Sequence, residues 1–118
     1  MGCQDKVILD SHLTFSVCTH DVATGLLTDA DFVPTYRVYE DEIAAAILTG
    51  SMTKIDDANT TGFYSKKIAC TVANGFESNK SYIIYIESTV DSVVGSICYG
   101  FLVCEAASDI WNYSVREL

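Results

Sequence analysis

The sequence predicts an all-β domain built from two packed sheets. Apolar and polar residues alternate with a period of two along most of the chain, which is typical of strands that bury one face. Turn residues separate six or seven such runs, and no helical pattern connects them. With 118 residues, 49% hydrophobic and 19% charged, the chain has room for one domain with one core.

The first two strands are predicted at residues 13–17 and 35–40. In the first, apolar residues at odd positions alternate with hydroxyl side chains. Residues 20–31 are rich in Thr, Gly and Asp and predict a connection. Pro34 suits the start of the second strand because proline lacks a backbone N–H. The acidic residues 40–42 are expected to form a solvated turn.

The middle of the chain is predicted to hold an edge strand, a loop and a longer strand. The edge strand is placed at residues 43–48, although this Ala-rich run also fits a helical turn. Residues 50–61 form the densest polar stretch and predict a surface loop. A strand of about nine residues follows at 64–72, where apolar side chains share one parity. Asn74 and Gly75 then supply a turn.

The last two strands are predicted at residues 82–90 and 93–104, where β-branched and aromatic residues predominate. Asp91 and Ser92 separate them tightly, which predicts a hairpin. Gly95 and Gly100 in the second strand are expected to mark bulges or a close backbone approach. The predicted core includes the following residues: Leu13, Phe15, Val17, Tyr36, Val38, Ile68, Cys70, Ile84, Ile86 and Leu102.

A short helix is predicted at residues 108–118. Ser108 suits its N-cap and Asp109 suits the positive end of the helix dipole. One helical face carries Ile110, Trp111, Ser114, Val115 and Leu118. A helix of this length is marginal alone in water, so its own domain or a partner must cover the apolar face.

Together these elements predict an immunoglobulin-like sandwich of about seven strands with a C-terminal helix. The predicted organisation is an N-terminal arm at residues 1–12, the sandwich at 13–104 and a helical tail at 105–118. The Cys, Trp, Cys order of antibody domains is absent, since Trp111 follows the last cysteine. Tyr82 opens its strand after a turn, as a tyrosine-corner residue does.

The composition argues against nucleic-acid and membrane partners. The net charge is −9 and only seven residues are Lys or Arg, which disfavours binding to phosphate backbones and anionic lipids. No run approaches the roughly 18 apolar residues of a membrane span, and the first ten residues lack a signal-peptide pattern. The chain is therefore expected to be made and kept in a cytosol.

The residues that carry chemistry in other proteins do not form a recognisable site here. The five cysteines include no Cys-x-x-Cys spacing and are expected to stay reduced, with Cys70 and Cys98 buried in strands. His12, His20 and Cys18 do not make the four ligands of a zinc site. The carboxylates are interpreted as solvated turns, and no Ser or Cys nucleophile motif accompanies a His. We predict no catalytic residues, no metal and no cofactor.

From residue 13 to residue 103, the order of features resembles an immunoglobulin-like module found in virion proteins of tailed bacteriophages. The matching pieces are residues 34–39 (PTYRVY), 61–64 (TGFY), 81–87 (SYIIYIE) and 94–103 (VGSICYGFLV). Residues 109–113 and 116–118 are similar to the segment that follows such modules in longer fibre or appendage proteins.

The resemblance implies a non-enzymatic virion protein, assembled in the host cytoplasm and attached in many copies to a capsid as a decoration protein. Its partners would be capsid or tail subunits, or further copies of itself. Two alternatives stay open: an anchoring module of a tail, neck or fibre appendage, and a free protein- or carbohydrate-binding module. The candidate interface residues are Trp111, Ile110, Val115 and Leu118 of the tail and the outward tyrosines Tyr39 and Tyr85.

Overall fold

The computed structural model describes residues 5–105, which form two β-sheets. The strands are β1 (Asp5–Ile8), β2 (His12–Cys18), β3 (Thr35–Glu40), β4 (Ala46–Ser51), β5 (Thr53–Lys54), β6 (Phe63–Ala69), β7 (Lys80–Val90) and β8 (Val93–Cys104). The larger sheet has the order β1-β8-β7-β3-β4 and the smaller has β2-β6-β5. β1 pairs with β8 in parallel, and the other neighbours are antiparallel. The predicted all-β class is confirmed.

The core lies between the two sheets. Alternate residues of β3 and β7 face inward, and those of β2 and β6 meet them from the smaller sheet. The rings of Phe15 and Tyr36 cross this interface in an edge-to-face contact, with centroids 5.3 Å apart. Leu13 and Val17 of the predicted core are only partly buried but pack against it.

The predicted β7–β8 hairpin is confirmed. Its register runs without a break from the pair Lys80 and Val103 to the pair Val90 and Val93. Asp91 and Ser92 have φ angles of 50° and 65°, as a two-residue type I′ turn requires. Because the register is continuous, Gly95 and Gly100 do not mark bulges, which was one of the two alternatives predicted for them.

Tyr82 joins the start of β7 to the turn before it and to the end of β3. Its hydroxyl oxygen accepts a hydrogen bond from the Glu77 backbone N–H at 2.7 Å and donates to Glu40 Oε1 at 3.3 Å. Lys80 Nζ lies 3.7 Å from Glu40 Oε2. Glu40 is only 8% exposed, so its prediction as part of a solvated turn was wrong. It occupies an inward position of β3 and is satisfied there by polar partners.

Part of the predicted N-terminal arm is a strand of the larger sheet. Residues 5–8 form β1, which pairs with residues 101–104 of β8. Val7 is buried in the core. These residues therefore add apolar contacts to the domain, which the sequence analysis did not anticipate.

The middle of the chain differs from prediction at its boundaries. β4 is an edge strand, as predicted, but begins at Ala46. The segment predicted as a loop at 50–61 contains the buried Met52 and the short strand β5. β5 pairs with β6, so this part of the segment belongs to the smaller sheet. β6 ends at Ala69, and a 3-10 turn (Val72–Asn74) follows. The helix predicted at 108–118 lies outside the described residues.

Candidate functional site

An apolar groove runs along one side of the domain, between β2 and the β7–β8 hairpin. We call it the side groove. It consists of two neighbouring cavities of about 280 and 250 Å³ that share Ile86 and Ile97 as lining residues. Val17 and Val93 line the first cavity, and Tyr99 lines the second. The groove is therefore bounded by side chains of both sheets.

The side groove is open because the smaller sheet stops at β2, while the hairpin of the larger sheet extends beyond it. Ile97 and Val93 have the parity of β8 that faces the core at Phe101 and Val103, yet they are 53% and 47% exposed. A Cβ placed on Gly95, between them, would meet no atom within 4 Å. The described residues thus leave a core-facing surface without an opposing layer.

The edge of β8 beside this groove lacks a strand partner among residues 5–105. β1 covers only residues 101–104. In a hairpin closed by Val90 and Val93, odd-numbered residues of β8 bond to β7, and even-numbered residues turn their N–H and C=O groups to the other edge. The Leu9 N–H donates to the Cys104 C=O at 2.7 Å, as this geometry requires. The same groups of Val94, Ser96 and Cys98 face outward.

This edge, which no described residue pairs with, carries no charged residue, proline or bulge of the kind that often protects edge strands. Residues 93–100 include no charged residue and no proline. Native proteins normally place lysine, proline or a bulge on such an edge, because unpaired N–H and C=O groups invite another strand. The free edge of β8 is therefore chemically ready to accept a strand.

Three carboxylates lie where the hairpin turns, at one end of the side groove. The Asp31 carboxylate accepts hydrogen bonds from the backbone N–H groups of Asp91 and Ser92, at 3.0 and 2.9 Å. A hydrogen bond with Asp21 and its charge raise the pKa of the Asp91 carboxyl, and the charge of Asp31 adds to this. A backbone hydrogen bond from Ala23 leads the causes that lower the pKa of Asp21. This end of the groove is negatively charged.

The outer face of the larger sheet carries a second feature, which we call the outer-face cluster. Arg37, Tyr39, Tyr85 and Glu87 line a shallow depression there. Arg37 lies opposite Tyr85 in the β3–β7 register. A hydrogen bond with Tyr39 leads the causes that raise the pKa of Arg37, and the negative charge of Glu87 contributes. The two tyrosines predicted to point outward do lie on this face, and each is partly exposed.

The cysteines are only partly as predicted. Cys70 is buried, and burial raises the pKa of its thiol to about 11. Cys98 was predicted to be buried but is exposed, because the hairpin register turns it to the outer face. Cys18, Cys70, Cys98 and Cys104 are all free thiols in the structure. Within residues 5–105, no three His, Cys, Asp or Glu side chains form a group that could hold a metal ion.

The sequence-predicted tail residues Trp111, Ile110, Val115 and Leu118 lie outside the described residues. The sequence reasoning missed the side groove. The signal that could have indicated it is the uncharged run at residues 93–100. Such a run is expected of an interior strand, so on a strand at the edge of a sheet it indicates a surface that another strand could cover. In the described part of the chain, no helix has the length and apolarity to cross a membrane.

Comparisons with models of protein families, with curated proteins and with solved structures found no match for this chain. Functional inference therefore depends on the residues and surfaces described above.

Proposed function

We propose that this chain is a non-enzymatic structural protein of a bacteriophage virion, attached in many copies to capsid subunits. The observation that carries the proposal is the side groove with its free strand edge. An apolar groove bordered by a row of backbone N–H and C=O groups fits another polypeptide, because an extended backbone pairs with that row while its alternate side chains enter the groove. The sequence resemblance to virion modules supplies the setting.

We also propose that the fold is immunoglobulin-like. The strand order supports this, since β2, β6 and β5 correspond to strands B, E and D, and β8, β7, β3 and β4 to G, F, C and C′. Tyr82 supports it further. Tyr82 lies near the start of the F-like strand, and its hydroxyl contacts the backbone N–H of Glu77, five residues upstream. A tyrosine corner has this arrangement.

Within this proposal, residues 105–118 form a helical tail whose apolar face, led by Trp111, contacts a neighbouring subunit. A buried aromatic anchor commonly contributes about 2 kcal/mol or more to an interface. Trp111→Ala should therefore lower the occupancy of the chain in particles more than it lowers the melting temperature. Normal occupancy with a collapsed melting temperature would instead place Trp111 against its own domain.

The test of the virion role is fractionation of particles from the source culture. Particles are banded on a density gradient, and the chain is quantified against the major capsid protein by mass spectrometry. We expect it to band with intact particles at many copies each. Recovery only in the soluble fraction refutes the role, and recovery at a few copies with detached tails points to a tail or neck appendage.

The outer-face cluster favours a second candidate function, a carbohydrate-binding module. Tyrosine rings beside an arginine and a carboxylate offer the flat apolar face and the planar hydrogen-bonding groups that sugars use. A glycan array probed with the full chain tests this. Binding that is lost in Tyr85→Ala and kept in Ile97→Ala, a change in the side groove, would support it.

A further inference from the structure

We propose that the side groove binds one extended segment of a partner virion protein, which adds as a strand to the free edge of β8. The segment would place alternate apolar side chains in the groove and a lysine or arginine at the negatively charged end. This deepens the proposed function by naming the attachment surface and the kind of partner that fits it.

The backbone of β8 sets where the partner strand lies. Val94, Ser96 and Cys98 present N–H and C=O groups to the edge that no described residue pairs with. A strand placed there is collinear with β1, which occupies the same edge from residue 101 onward. It therefore continues a sheet edge that the protein already uses. Seven residues, 93–99, give such a strand about 23 Å.

The groove sets which side chains the partner carries. Successive side chains of a strand point to opposite faces, so every second residue of an added strand points between the two sheets. There it meets Ile86, Ile97 and Val17. Two cavities of about 280 and 250 Å³ accommodate valine- or isoleucine-sized groups. We therefore expect the partner segment to carry an apolar residue at every second position.

The negative charge at the hairpin turn determines which side chains the partner carries at that end. The carboxylates of Asp21, Asp31 and Asp91 lie together at the hairpin turn, where the groove ends. A cation placed on this end is attracted, and a carboxylate is repelled. The partner segment therefore carries Lys or Arg where it passes the turn.

Charge argues against a second copy of this chain as the occupant. A second copy of this chain also carries a net charge of −9, so edge-to-edge pairing brings like charges together.

The test uses the full chain and a synthetic peptide of about eight residues, two lysines followed by alternating valine and threonine. A matched peptide has glutamates in place of the lysines. Binding is followed by fluorescence anisotropy, and hydrogen exchange is followed residue by residue by NMR. We expect the lysine peptide to bind and to slow exchange of the Val94, Ser96 and Cys98 amides by at least about tenfold. The glutamate peptide should bind more weakly.

Two variants connect binding to the groove. Ile97→Glu puts a charge into the groove and should weaken binding at least about tenfold. Its matched control is Ile83→Glu, a change of the same kind on the opposite face of the same sheet, where Ile83 is 40% exposed. Ser96→Pro is a second variant, which removes one edge N–H without removing a bond to β7. The proposal is overturned if Ile97→Glu and Ile83→Glu bind the lysine peptide equally well.

Exchange in the full chain without peptide separates the occupants. Protected edge amides at every concentration would assign the edge to another segment of the same chain, and protection that rises with concentration would assign it to a second copy. Either result overturns the proposal. Failed peptide binding with normal particle occupancy of Ile97→Glu removes only the groove role. Peptide binding by a chain that is absent from particles removes only the virion role.

Discussion

Replacing Tyr82 with phenylalanine should lower the free energy of unfolding by about 2–3 kcal/mol. The ring stays in its contacts with Phe76 and Phe101, at centroid distances of 4.8 and 5.7 Å. Only the hydroxyl is lost. One hydrogen bond to a neutral N–H contributes about 0.5–1.5 kcal/mol. The bond to the Glu40 carboxylate adds about 1.5 kcal/mol, at the low end for a charged acceptor because 3.3 Å is long.

Urea unfolding, followed by circular dichroism, measures this loss. Tyr85→Phe is the control, because Tyr85 lies on the outer face and the same atom is removed from a partly exposed site. It should change the free energy of unfolding by less than about 0.5 kcal/mol. A Tyr82→Phe, Glu40→Ala double-mutant cycle then measures the coupling between the two side chains. Equal losses for Tyr82→Phe and Tyr85→Phe would refute the structural role of the Tyr82 hydroxyl.

Three further outcomes follow from packing and protonation. Ile84→Ala, at a fully buried site, should cost about 2–5 kcal/mol in the same urea assay. Gly62→Ala should cost more than Gly25→Ala: both have positive φ, but only at Gly62 would the new Cβ lie 2.7 Å from a backbone oxygen. Burial holds the pKa of Cys70 at about 11, above its ordinary 9.0, so the unfolded chain loses the thiol proton first. The free energy of unfolding should therefore fall between about pH 9 and pH 11. Cys70→Ala should flatten that decline in urea titrations across this range, whereas Cys98→Ala, at an exposed site, should not.

The sequence predicted those elements whose signals are local. The hairpin at Asp91 and Ser92 was predictable because only these two residues separate two strongly strand-like runs. The strand after Pro34 was predictable because alternation and a missing N–H agree there. The position of Tyr82 after a turn indicated a corner residue, and in the structure its hydroxyl accepts a hydrogen bond from the Glu77 backbone N–H.

Elements that depend on distant partners were not predictable in this way. β1 has four residues and forms only by pairing in parallel with the far end of the chain. Leu102 was predicted in the core, but its neighbours Phe101 and Val103 are the buried residues. In an unbroken apolar run, parity cannot be taken from hydrophobicity. The two-residue turn could have fixed it, since pairing Val90 with Val93 puts Ile84 opposite Tyr99 and turns Cys98 outward.

The same parity argument leads from the fold to the proposed attachment surface. Val93 and Ile97 are on the face of β8 that belongs to a core, but no described strand lies opposite them. Covering a side chain of this size contributes about 1.5–3 kcal/mol if it is fully exposed beforehand, and about half of that for side chains that are half-exposed. Together the two residues offer an incoming strand about 1.5–3 kcal/mol of apolar burial. The N–H and C=O groups beside them, which no described residue pairs with, add direction, because their spacing matches that of an extended backbone. A partner that fills the side groove therefore completes the core of this domain rather than adhering to its surface.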